Sequence, residues 1–169
     1  MGIFDFLRGK KDDVQPAVQA TPASSGIQFD PQLINKLQAD HKKLLETYTK
    51  TQSALEKGDF PAITQHLREF KTALHEHLLT ENIKLYAYLG ERLASDKATS
   101  QIIEEFRTEM QGIGQVASKF LRKYTETPIY ANQVSLFKSE FEQIGGALVS
   151  RIQREESTLY ALYMPNYRI

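Results

Sequence analysis

The sequence predicts an all-α protein, an antiparallel up-down-up-down four-helix bundle behind a flexible N-terminal tail. Three observations predict it. Apolar residues recur at steps of three and four along four separate stretches, and no segment alternates convincingly with period two. Each stretch is closed by glycine or proline, at Gly58, Gly90, Pro128 and Pro165. Long helices with short connections then fold back on one another.

Residues 1–10 are short and amphipathic, with Ile3, Phe4, Phe6 and Leu7 set against Asp5, Arg8 and Lys10. They read either as a loose terminus or as a docking peptide for a membrane surface or a partner protein. Lys11 to Gly26 holds little to bury and reads as a linker, so residues 1–29 form the tail and 30–164 the bundle, with 165–169 as a C-terminal tail.

The first helix is expected from Asp30-Pro31, a cap followed by proline at the first helical position, with Ile34, Leu37, His41, Leu44, Tyr48 and Leu55 as its stripe. Gly58-Asp59-Phe60-Pro61 stops it and starts the second, with Asp59 or Phe60 near the cap. The second stripe is Ile63, Leu67, Phe70, Leu74, His77, Glu81, Leu85 and Tyr88. The third runs Ile103, Phe106, Met110, Ile113, Ala117, Phe120 and Tyr124, and the fourth from Val134 through Phe141, Leu148, Arg151 or Ile152, Glu155 and Leu159 to Leu162.

Composition removes several function classes. Twenty-one basic residues balance twenty-one acidic ones, which gives no electrostatic reason to expect nucleic acid. The absence of cysteine excludes disulfides, thiolate metal sites and thiol catalysis. No apolar run approaches the ~20 residues that span a bilayer, and Asp5 and Arg8 interrupt any signal-peptide core, so a cytoplasmic location is the default. No phosphate loop, nucleophile elbow or Ser/His/Asp arrangement argues for hydrolase or transferase chemistry.

The informative residues are the polar ones on apolar stripes: His41, His77, Glu81, Glu155 and Arg151. At a rise of ~1.5 Å per residue they converge on one level, where the third helix offers Phe106 and Met110. The sequence around Glu81 also returns seventy-four residues later. Glu81, Leu85, Tyr86 and Ala87 map to Glu155, Leu159, Tyr160 and Ala161, whereas His77 maps to Arg151. Buried charges must be paired or ligated. In one account two imidazoles and two carboxylates bind a divalent cation, the donor set suiting iron, manganese or zinc. In the other, Arg151 is itself the cation, bound to Glu155 and reaching Glu81.

At these residues the chain resembles the hemerythrin-like, or HHE cation-binding, family over about Asp30 to Tyr163. His77 to Glu81 matches that family's His-x-x-x-Glu, and His41 fits its first-helix histidine. Arg151-Ile-Gln-Arg-Glu155-Glu156-Ser-Thr-Leu159-Tyr160 follows its last helix apart from the histidine. The resemblance implies a cation-binding bundle. No histidine follows His77, so the family's five-histidine, two-carboxylate di-iron set is incomplete. Ile144 to Arg151 with Glu155, and Leu67 to Tyr86, are also similar to the Rsd/AlgQ family of anti-sigma regulators, which implies a protein-binding bundle.

The remaining residues receive plainer readings. His66 and His75 fall at the rim or in solvent, Glu156 is exposed, and Tyr86, Tyr88, Tyr160 and Tyr163 cap the core with their hydroxyls outward. Gly145-Gly146, costing roughly 2 kcal/mol within a helix, implies close approach of another backbone. The reading carried forward is a non-enzymatic, sensing or regulatory protein that binds one divalent metal ion, iron or zinc. Its ligands are His41, His77, Glu81 and Glu155, and Arg151 compensates negative charge at a lost ligand position. The alternative is a metal-free, anti-sigma-like interaction module in which Arg151 replaces the metal.

Overall fold

The computed structural model describes residues 26–165. The tail through residue 25, its docking segment and residues 166–169 lie outside them. Among the described residues there is no strand, and no helix is long and apolar enough to cross a membrane.

The first helix, α1 (Leu33–Lys57), begins two residues later than expected. Asp30 Oδ1 takes the Gln32 amide at 3.0 Å, so Asp30-Pro31 forms a turn ahead of the helix rather than its first residues. It ends on Gly58 in the left-handed region (φ 67°), where a side chain would be strained. Asp59 then caps α2 (Phe60–Thr80), its carboxylate accepting from the Ala62 amide at 3.1 Å, with Pro61 in the first turn. The second rod continues as a π-helical turn, Glu81–Tyr86, and α3 (Ala87–Arg92). Asp96 starts α4 (Lys97–Glu126) by accepting from the Ala98 and Thr99 amides. The last rod comprises α5 (Val134–Arg154), a second π-helical turn, Glu155–Leu159, and a 3-10 turn, Tyr160–Leu162.

The core divides in two. An apolar cluster holds Leu44, Leu67, Phe70, Leu74, Met110, Phe120, Phe137, Phe141 and Leu148. A second, richer in tyrosine, holds Leu33, Leu37, Leu85, Tyr86, Leu89, Ile103, Phe106, Leu159 and Tyr160. The chain order on every rod shows what lies between. Leu37 and Leu44 bracket His41, Leu74 and Leu85 bracket His77 and Glu81, and Leu148 and Leu159 bracket Arg151 and Glu155. On α4 the same level falls between Phe106 and Met110, as the rise per residue requires. Ile27 and Phe29, read as tail, also pack on the second cluster; the Phe29 ring stacks 4.8 Å from Tyr163.

Gly145 serves a side chain rather than a backbone. A Cβ there would stand 2.2 Å from the Tyr48 ring, which stacks on Phe141 at 4.2 Å. Gly146 faces open space.

Candidate metal centre

All four predicted ligands are buried, none more than 3% exposed, and one donor atom from each lies within 4.8 Å of the others. His41 directs Nε2 at Glu155 Oε2 (3.0 Å), and His77 directs Nε2 at Glu81 Oε2 (3.8 Å). The two imidazole rings stand 4.6 Å apart. Three rods supply these groups, and both carboxylates stand at the first residue of a π-helical turn. Such turns widen the backbone and are frequent at functional sites.

Arg151 is buried on the other side of Glu155. Its Nε donates to Glu155 Oε1, Nη1 to Glu109 Oε2 at 2.9 Å and Nη2 to the Tyr86 hydroxyl at 2.7 Å. The guanidinium lies 4.7 Å over the Phe106 ring, and Arg154 also grips Glu109, at 2.6 Å. The expected bond from Arg151 to Glu81 is not made, because all three arms of the fork are already committed.

Among the described residues Glu81 is therefore left without a cation in hydrogen-bond contact. Its Oε1 accepts from the Tyr160 hydroxyl at 3.1 Å, while the buried Oε2 has no hydrogen-bond partner among the described residues. Burial, and then the charge of Glu155, push its pKa up to about 8. Burial, and then the nearby His41, push His77 down to about 4. Among the described residues His77 Nδ1 also lacks a hydrogen-bond partner, with Asp40 Oδ2 at 3.8 Å. Glu155 differs. Burial works to raise it, but the hydrogen bond from His41 and the charge of Arg151 prevail, and it titrates below the usual carboxylate range.

The fit to a cation can be judged from distances. Donors on opposite sides of an ion with bonds of ~2.1 Å stand ~4.2 Å apart, so a spread of 4.8 Å needs only a small contraction. Two imidazoles and two carboxylates, with the orphaned Glu81 Oε2 3.8 Å from His77 Nε2, fit such an ion.

The hemerythrin HHE cation-binding domain matches residues 32–163, most of the chain. The chain belongs to the hemerythrin HHE cation-binding family. The family match spans all four rods and every residue of the cluster. Compared with curated proteins and with solved structures, the chain has no significant match.

Some participants were read differently from sequence. Tyr86 and Tyr160 turn their hydroxyls inward, onto Arg151 and onto Glu81 and His41. The π-helical turns favour this. Residues five apart lie about 140° apart around an α-helix, whereas an i to i+5 repeat brings Tyr86 over Glu81 and Tyr160 over Glu155. Glu156 is partly exposed, as expected, yet reaches His41 Nδ1 at 2.8 Å. Glu109 drew no attention because it lies off the apolar stripe of α4. Its signal in the sequence is its place one turn from Phe106 at the predicted level. His75 is exposed and His66 partly buried, both away from the cluster.

Proposed function

We propose that the protein binds a single iron or zinc ion through His41, His77, Glu81 and Glu155, in a sensing or regulatory rather than enzymatic role. The observation that carries this reading is the isolation of Glu81. Arg151 neutralises Glu155 and Glu109, leaving the orphaned Oε2 of a buried carboxylate 3.8 Å from Nε2 of a neutral imidazole. An ion there supplies the missing positive charge and a Lewis-acidic centre. Arg151 stands at the position equivalent to His77 in the internal repeat, where a second ion would otherwise need its ligand. This favours one ion per chain.

An ion whose positions are all taken by protein donors resembles a structural site; catalytic sites keep a position open. That supports binding over turnover. Glu156 would hold the His41 ring in place from behind, through Nδ1.

A ligand that binds only the folded chain raises its melting temperature by mass action. The reading expects added zinc or iron to raise the melting temperature of the wild-type chain and not that of His77→Ala. An equal response of both would contradict it. The second reading, a metal-free anti-sigma-like module, draws on the burial and threefold pairing of Arg151. It expects neither chelator nor added metal to move the transition.

A further inference from the structure

We propose, building on the reading of this cluster as a metal centre, that Tyr160 is its fifth donor and that the phenolate oxygen makes it a ferric iron site. The Tyr160 hydroxyl lies 3.2 Å from His41 Nε2 and 3.1 Å from Glu81 Oε1. Both neighbours belong to the proposed ligand set. Donors about 90° apart around one ion, with bonds of ~2.1 Å, stand ~3.0 Å from each other. Tyr160 thus stands from two of the ligands at the spacing that adjacent donors on a common ion adopt. His41 Nε2 and Glu155 Oε2, 3.0 Å apart, show the same spacing.

The ring is held where it is. It is 5% exposed, nearly parallel to the His41 imidazole (9°, centroids 5.7 Å apart), and follows the π-helical turn that begins at Glu155. Its counterpart in the repeat, Tyr86, has a different duty, since its hydroxyl accepts from Arg151 at 2.7 Å. The chain therefore contains its own comparison: two tyrosines at equivalent positions, one serving a guanidinium and one facing His41 and Glu81.

Two carboxylates and a phenolate form a hard, anionic oxygen set, suited to a trivalent ion. As the Fe(III)–O bond forms, the phenolic O–H bond breaks and the proton leaves to water. Iron enters and remains in the ferric state.

The test is the visible absorption and resonance Raman spectrum of the full chain loaded with one equivalent of Fe(III). A phenolate-to-iron charge-transfer band is expected in the wild type and in Tyr86→Phe, and its loss in Tyr160→Phe, with iron still bound and helical content unchanged. Iron bound one per chain without the band, or with a band that survives Tyr160→Phe, would overturn the inference and leave the His/Glu site intact. A wild-type chain that takes up no iron would remove this inference; if it binds no zinc either, the site reading falls as well. Loss of fold in Tyr160→Phe is answered by Zn(II) loading of the wild type. If tyrosine coordinates zinc as well, ultraviolet difference absorption shows ionised phenol, contradicting ferric selectivity; its absence supports the inference.

Discussion

His41 Nδ1 lies 2.8 Å from Glu156 Oε1 while its Nε2 lies 3.0 Å from Glu155 Oε2, so one buried imidazole is held between two carboxylates. Burial works against charging this ring, but the hydrogen bonds to Glu155 and Glu156 prevail and hold its pKa above 6.5. A metal at Nε2 would replace one proton and leave the other on Nδ1, donated to Glu156. Glu156→Ala should therefore weaken zinc binding about 10–100-fold, read by competition with a chromophoric chelator. Unchanged affinity would show that Glu156 merely touches the ring.

Arg151 is the only guanidinium or ammonium in hydrogen-bond contact with Glu155, itself 1% exposed, among the described residues, and shares it with the His41 imidazole. Truncation in Arg151→Ala leaves that carboxylate with His41 alone and should cost about 3–5 kcal/mol in urea unfolding of the metal-free protein. A loss below about 1 kcal/mol would mean that surface-pair energetics apply instead.

Stability should depend on pH in a way that metal changes. Glu81, raised from 4.5 to about 8, stabilises the metal-free fold in full below 4.5 and loses that contribution as pH rises through about 8. His77, lowered from 6.5 to about 4, stabilises it above 6.5 and loses this as pH falls through about 4. The two slopes oppose each other between 4.5 and 6.5. Above 6.5 Glu81 acts without that opposition, and His41, held above its ordinary 6.5, works in the same direction. The metal-free chain should lose stability from pH 6.5 to 8, with a shallower loss in Glu81→Gln. Because zinc bound at Glu81 would displace its proton, the stabilising increment should be larger at pH 8 than at pH 6. Melting curves at both values, with zinc and with chelator, check the sign.

The two adjacent glycines of α5 should respond oppositely to alanine. Gly145→Ala drives a Cβ into the Tyr48 ring and should cost about 1–3 kcal/mol. Gly146→Ala meets open space and should stabilise by about 1 kcal/mol. Denaturant midpoints of the two variants provide the measurement.

Most of the fold was legible because amphipathic helices write their period into the sequence, and Gly58, Asp59 and Pro61 mark a break with little ambiguity. His41, His77, Glu81 and Glu155 stood out for the same reason, as polar residues on apolar stripes, and the structure brings them together. The inward turn of Tyr86 and Tyr160 was not legible. A π-helical turn changes the backbone spacing without a compositional mark, and the repeated Glu81/Glu155 sequence hinted at equivalence rather than geometry. The partners of Arg151 were missed in part because Glu109 sits where a helical wheel points to solvent, and only a long guanidinium reaches it.

The most direct measurement is elemental analysis of the untagged full chain after growth in iron- and zinc-replete medium, beside His77→Ala and Glu81→Ala. The account predicts one iron or zinc per wild-type chain and none in either variant. Wild-type protein that remains metal-free, or variants that retain the ion, would contradict it.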